Sequence, residues 1–241
     1  MFEKKKFSYA DQKKQRHHIH WVFIWFFAFF LFYTVFTNLI FSFRVVETEA
    51  MQPGLYTGDF LVFSSYTVQS LFSDIDIWTP APPFRRGNIV VVDTGRLDRK
   101  SLVNIILDNF IRFFTAQRVS IDNRGENWYI KRVLGLPGDE IAMTNFVLRI
   151  KPRGSQYMFT EYEVAEQSYN VTIPQIPALW DESLPFSGNM DAVVLGEDEC
   201  FVLSDDRSNT NDSRTWGPIP VDCITGKALF RYWPLTRLGI P

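Results

Sequence analysis

The chain has 241 residues, a formal net charge of −2 and 23 phenylalanines. This length leaves room for one membrane anchor and one globular domain with a subdomain, and the near-neutral charge gives no sign of nucleic-acid binding. All three histidines lie at positions 17, 18 and 20, so a histidine-based catalytic triad in the rest of the chain is excluded. No cysteine and histidine pair has zinc-finger spacing, and we expect neither metal nor cofactor.

Trp21–Phe41 is an uncharged apolar run. As a helix it would be about 30 Å long, enough to cross a bilayer core. The charged residues before it are mainly basic, so the positive-inside rule predicts a cytoplasmic tail at 1–20, a transmembrane anchor at 21–41 and an external domain at 44–241. A cleaved signal peptide is the alternative, but its apolar region would be shorter and would end in small residues.

Short apolar runs bounded by turn residues predict strands in the rest of the chain. They are Asp59–Phe63, Asn88–Val92, Trp128–Leu134, Glu199–Leu203 and Ala228–Trp233. Trp78–Pro83 contains three prolines, which lack backbone donors, so we predict an extended loop there. The pattern as a whole predicts a mainly β domain.

Lys100–Ala116 is the one convincing helix among these strands. Its polar residues recur every three or four positions and leave a wide apolar face. Two interpretations stay open: the face packs on the domain core, or it lies in the membrane interface.

Four motifs follow the apolar run in a fixed order, the last with Gly226-Lys227-Ala228 after it. They are Glu49-Ala50-Met51-Gln52-Pro53, Arg86–Val92, Tyr129–Asp139 and Ser204–Gly217. In residues and order they resemble the boxes of the bacterial type I signal peptidases, which remove signal peptides from secretory precursors with a serine and a lysine.

The resemblance implies a signal-peptidase/LexA-like β-rich domain behind a single-pass anchor in the cytoplasmic (inner) membrane. Its implied partners are the signal peptides of secretory precursors and membrane lipid, without nucleic acid. Residues 145–199 carry no chemical constellation and correspond, in position only, to the variable subdomain of that family.

Residue roles follow from the same resemblance. Ala50 stands where the family has its nucleophilic serine, and a methyl group cannot attack a peptide bond. Lys131 matches the general base; its ordinary pKa near 10.4 would have to be lowered by burial before it could accept a proton at neutral pH. Thr210 corresponds to the serine that orients the lysine, and Thr48 to the hydroxyl of the oxyanion hole.

Further positions support or depart from the pattern. Asp212, Arg214 and Arg132 correspond to supporting residues, and Met51 to the lining of a small pocket for alanine-like side chains. Four departures accompany Ala50, which together fit a paralogue under relaxed catalytic demand: Gly54 for threonine, Asn88 for aspartate, Ser204 for glycine and Asp206 for asparagine.

The sequence supports three functional hypotheses. The first is a family member that binds secretory precursors without cleaving them. The second is an active signal peptidase carrying a serine-to-alanine change. The third is a membrane-tethered scaffold that uses the fold only for protein contacts.

The two cysteines, Cys200 and Cys223, are compatible with either a disulfide or two thiols, because sequence spacing alone does not show whether their Cα atoms come within bonding distance.

Overall fold

The computed structural model describes residues 9–35, 41–65, 84–94, 111, 128–175 and 188–241. The chain divides into two compact units. One comprises Met1–Asn38 with Lys100–Asp122, and the other comprises Leu39–Arg99 with Asn123–Pro241. The second unit holds the strands and the predicted site.

Helix α1 of the first unit spans Tyr9–Val35, so it begins inside the predicted basic tail and ends before Phe41. Large apolar side chains between positions 19 and 32 are exposed, among them Trp25 at 69%. In the part of the chain that the structure describes, no helix combines the length and apolarity needed to cross a membrane. The predicted anchor at 21–41 therefore stays a prediction.

The strands of the second unit are mostly short and apolar, as predicted. The first five are β1 Phe41–Val45, β2 Phe60–Ser65, β3 Ile89–Asp93, β4 Trp128–Gly135 and β5 Glu140–Thr144. They are followed by β6 Val147–Lys151, β7 Phe159–Thr160, β8 Met190–Val194, β9 Glu199–Leu203, β10 Ile219–Pro220 and β11 Ile224–Trp233. Two short helices complete the unit, α2 Glu161–Val164 and α3 Ser213–Trp216.

Within the described residues, these strands form two antiparallel sheets. The larger has seven strands in the order β1-β2-β11-β3-β4-β9-β10, and the smaller has four in the order β7-β6-β5-β8. The mainly β prediction is thus confirmed. All five predicted strands are present, and β11 begins four residues earlier than predicted because its first residues pair with β3.

The core forms on both faces of the larger sheet. One cluster includes Met51, Leu61, Phe63 and Ile130, and the other face carries Val90, Val133 and Val202. A third cluster joins the two sheets. Its members are Leu134, Ile141, Met143, Leu148, Ile150, Leu195, Phe201 and Leu203. Strand β4 is therefore enclosed on both sides from Ile130 onward, and a polar side chain on it is buried whichever way it points.

The remaining sequence predictions concern the subdomain, the two cysteines, a loop and a helix. The region 145–199 contributes strands β6, β7 and β8, and its smaller sheet already begins with β5 at Glu140. Cys200 and Cys223 are thiols, the first buried and the second half-buried. The predicted loop at 78–83 lies outside the described residues, as does the helix Lys100–Ala116 except for Ile111, which is helical.

The glycine of the Gly226-Lys227-Ala228 motif has a packing reason. A Cβ atom on Gly226 would lie 2.3 Å from the carbonyl oxygen of Ser64 on the neighbouring strand β2. Backbone atoms at that distance cannot yield as a flexible side chain would, so β11 approaches β2 this closely only with glycine at 226.

We therefore predict that Gly226→Ala forces β2 and β11 apart and lowers the free energy of unfolding by about 2 kcal/mol or more. Gly154→Ala is the control: no atom lies within 4 Å of its added Cβ, and only its positive φ of 79° opposes the change. Chemical denaturation of both variants measures the difference, and equal losses of stability would contradict the close-packing explanation.

Candidate functional site

Lys131 lies in β4 and is 2% exposed. Its Nζ donates a hydrogen bond of 2.7 Å to Oγ of Ser204, which is itself fully buried. The Nζ atom also lies 6.0 Å from the centroid of the Tyr129 ring and 5.9 Å from that of Trp216. The lysine therefore projects into a closed, largely apolar space with a hydroxyl at its tip.

The register of the larger sheet explains this pairing. Arg132 of β4 stands opposite Leu203 of β9, so the next pair along these antiparallel strands is Lys131 with Ser204. On its other side Lys131 stands opposite Val90 of β3. The apolar residues of β3 and β9 thus surround the lysine stem, while Ser204 begins the polar segment that follows β9.

Burial lowers the pKa of Lys131 from 10.5 to about 8. The carboxylate of Asp212 opposes this shift, the guanidinium of Arg214 adds to it, and the carboxylate of Asp205 opposes it more weakly. Near neutral pH about a tenth of the side chain is therefore the free amine, the form that can accept a proton, whereas an ordinary lysine would have well under about 0.1%. This is the property that the resemblance requires of its general base.

Asp212 holds this part of the site together. Its Oδ2 accepts the backbone N–H of Ser204 at 2.9 Å, and both carboxylate oxygens accept from Arg214, at 3.0 Å from Nε and 2.8 Å from Nη2. Burial disfavours the charged form of Asp212, but the hydrogen bonds and charge of Arg214 outweigh it and lower the pKa of that carboxyl. Arg214 in turn donates to the carbonyl oxygens of Arg207 and Asn209.

Ala50 is buried in a 3₁₀ turn, Glu49–Met51, that contacts strand β4. Its carbonyl oxygen accepts the backbone N–H of Asp206 at 3.0 Å. Position 50 is therefore hydrogen-bonded to the segment that contains Ser204, whose hydroxyl accepts from Lys131. The first, third and fourth sequence motifs meet at this point.

The remaining predicted residues have distinct environments. Thr48 is exposed and directly precedes the turn, and Met51 is enclosed in the core with Leu55 and Ile89. Thr210 is half-buried, and its carbonyl oxygen accepts from Asp212 N and Thr215 Oγ1. The proposed actions of Thr48, Met51 and Thr210 stay predictions.

Arg132 forms a buried ion pair that the sequence did not reveal. Its guanidinium donates to both carboxylate oxygens of Asp205, at 2.7 Å from Nε and 2.6 Å from Nη2, and its Nη1 donates to the carbonyl oxygen of Gly87 at 2.6 Å. Both side chains are at most 5% exposed. Because Arg132 follows Lys131 in a strand, its ion pair lies on the face of the sheet opposite Lys131 and stabilises β4 from that face.

Two more buried carboxylates, Glu161 and Asp59, form ion pairs in this unit. Glu161 of α2 pairs with Arg207, both fully buried, and also accepts the hydroxyl of Tyr169 at 2.7 Å. Asp59, likewise buried, lies 3.2 Å from Arg231 Nη1 and 2.8 Å from Arg237 Nη2. Sequence inspection missed Ser204, Asp205, Glu161 and Asp59 as partners, because strand register and chain crossings decide these contacts and neither is visible as local spacing.

Comparison with known proteins points to one family. The family model "Signal peptidase, peptidase S26" matches residues 18–233. The chain is 32% identical to the signal peptidase I of Leptolyngbya laminosa over 81% of this chain and 70% of that protein. It is 30% identical to signal peptidase IB of Staphylococcus aureus strain COL over 62% of this chain and 68% of that protein.

A shorter match covers the probable signal peptidase I-1 of Synechocystis sp., at 32% identity over 46% of this chain and 45% of that protein. A second Synechocystis protein, the probable signal peptidase I-2, matches at 28% identity over 46% of this chain and 41% of its own length. These two matches therefore span less than half of each relative.

The contrast between the buried ion pair of Arg132 and the exposed ion pair of Arg153 leads to a prediction about stability. Arg132→Leu leaves the Asp205 carboxylate buried without its cation, so we expect it to lower the free energy of unfolding by about 3–5 kcal/mol. Arg153→Leu is the matched control, because its pair with Glu197 is 65% and 72% exposed and should contribute less than about 1 kcal/mol. Equal effects in denaturant titrations would show that the Arg132 pair does not brace the site.

Proposed function

The chain belongs to the peptidase S26 signal peptidase family, and on that premise we propose that it binds the signal peptides of secretory precursors without cleaving them. The observation that carries this proposal is the contrast between Lys131 and Ala50. A buried lysine with a lowered pKa lies in the motif of the general base, while the motif of the nucleophile has no hydroxyl at position 50.

Thr48 and Cys200 carry a hydroxyl and a thiol but are poor substitutes for the missing nucleophile. Thr48 is exposed and directly precedes the 3₁₀ turn that carries residue 50, so its hydroxyl is two residues away from the position of the missing serine. The Cys200 thiol is fully buried, and burial raises its pKa to about 12, so it is almost entirely protonated and unreactive at neutral pH. We therefore propose that neither group takes over the attack.

Binding depends on other features, which support a precursor-recognition role. The family-derived oxyanion-hole donors are the Thr48 hydroxyl and the backbone N–H of residue 50, and neither requires serine there. The turn that carries residue 50 is fixed by the hydrogen bond from Asp206, and Lys131 is held in place by Ser204. We therefore assign Lys131, Ala50, Thr48, Thr210 and Met51 to the peptide site, with Arg132, Asp212 and Arg214 as its support.

We further propose that the chain acts at the cytoplasmic (inner) membrane, with residues 1–20 in the cytoplasm and residues 44–241 outside. The exposed apolar side chains of α1 between 19 and 32 support membrane contact, since water is an unfavourable environment for so many of them. The basic residues before the apolar run support the orientation.

The first prediction from this proposal concerns cleavage. The unmodified chain in detergent should bind a fluorescent precursor with an Ala-x-Ala site but not cut it, because loss of a serine nucleophile costs on the order of 10⁶ in turnover. Ala50→Ser should introduce cleavage that increases as pH rises through about 8, since Lys131 must lose its proton to act as base. Gel analysis of the precursor measures both.

The control is Ala50→Ser combined with Lys131→Ala, in which an unactivated serine should give no gain. Cleavage by the unmodified chain would disprove the assignment of position 50. Binding that is unaffected when both alanines of the Ala-x-Ala site are changed to lysine would favour the scaffold hypothesis. Full family activity in Ala50→Ser would favour an ordinary signal peptidase with one changed residue.

The second prediction concerns topology. Protease added to intact spheroplasts should digest residues 44–241 and spare an N-terminal tag, which detergent then makes accessible. A C-terminal domain that stays protected until the membrane is dissolved would reverse the proposed orientation.

A further inference from the structure

Two of the departures from the family motifs concern the same chemical group. The resemblance gives serine at position 50 and glycine at position 204, whereas this chain has alanine at 50 and serine at 204. One hydroxyl is lost and one is gained. In the fold, Ser204 contacts Lys131 directly, and the turn that carries Ala50 contacts β4 and is hydrogen-bonded to Asp206, two residues beyond Ser204.

The contacts at Ser204 are those of a fixed hydrogen-bond partner. Its Oγ lies 2.7 Å from Lys131 Nζ, and its backbone N–H is held at 2.9 Å by Oδ2 of Asp212. The chain then continues to Asp206, which binds the carbonyl oxygen of Ala50. Ser204 is 0% exposed, so its hydroxyl faces the lysine and is not presented to a bound peptide.

The other groups around Lys131 leave this role to a hydroxyl. Asp212 and Asp205 are the nearby anions, but Arg214 occupies both oxygens of the first and Arg132 both oxygens of the second. The ring faces of Tyr129 and Trp216 lie near Nζ without offering an oxygen lone pair. A buried ammonium without an acceptor is costly, so a hydroxyl within reach stabilises the lysine in place.

We propose that Ser204 supplies the hydroxyl that Lys131 lacks at position 50, and that it is a positioning residue which holds the lysine in a site without a nucleophile. The pairing rests on the assignment of position 50 in the proposed function. Its test uses neither peptide nor cleavage, so either proposal can fail while the other stands.

The test is a double-mutant cycle on the full chain in detergent. The variants Ser204→Ala, Ala50→Ser and the two combined are each compared with the unmodified chain. The first measurement is the NMR titration of the Lys131 Cε resonance, assigned by its loss in Lys131→Met. Removal of the accepting hydroxyl disfavours the ammonium, so Ser204→Ala should move the titration midpoint to lower pH by roughly one unit. With Ala50→Ser present, a second hydroxyl is available and the midpoint should move much less.

The second measurement is thermal unfolding. Ser204→Ala alone should lower Tm by roughly 3–8 °C, and by clearly less in the Ala50→Ser background, because either hydroxyl satisfies the lysine. Ser213→Ala is the matched control: Ser213 is equally buried, and its Oγ accepts the backbone N–H of Val202 at 3.1 Å. It should lower Tm equally in both backgrounds and leave the Lys131 midpoint unchanged.

Two results would overturn the proposal. A Lys131 midpoint that does not move in Ser204→Ala would show that the hydroxyl does not hold the lysine. Equal effects of Ser204→Ala in the two backgrounds would show that positions 204 and 50 do not share one role.

Discussion

The pairing of β4 with β9 is the constraint on which the site depends. One step of antiparallel register sets Lys131 against Ser204 and Arg132 near Asp205. Neighbouring residues of a strand point to opposite faces, so the lysine meets a hydroxyl on one side while the arginine meets a carboxylate on the other. A slip of one residue would exchange these environments and leave an unpaired charge on each face.

Much of the larger sheet could be predicted from sequence, because its strands are buried on both faces and read as continuous apolar runs. Strands β5, β6 and β8 were not predicted: β5 and β6 are short and buried at only two positions each, and β8 has no buried residue. The burial of Lys131 was predicted from its motif. Ser204 was noted only as a departure, because its contact with the lysine spans 73 positions of sequence and appears only when the strands are paired.

Buried charge also connects the smaller sheet to the site. Glu161 binds Arg207, Tyr169 and the backbone N–H of Leu148 on β6, while Arg207 lies in the fourth motif. Within the described residues, Nε and Nη1 of Arg207 have no hydrogen-bond partner, so this pair is not fully compensated. Such a pair is better suited to fixing one arrangement of the two sheets than to adding stability, since an apolar replacement of similar volume is often at least as stable.

The position of β11 has a consequence for biosynthesis. Among the described strands it is the last in sequence order, yet it lies between β2 and β3 in the larger sheet. Until it has left the ribosome, β2 and β3 have no shared neighbour, and each exposes an unpaired edge that invites aggregation. The central part of the sheet therefore closes only after β11 has been synthesised, through contacts between distant parts of the sequence, which makes folding slow.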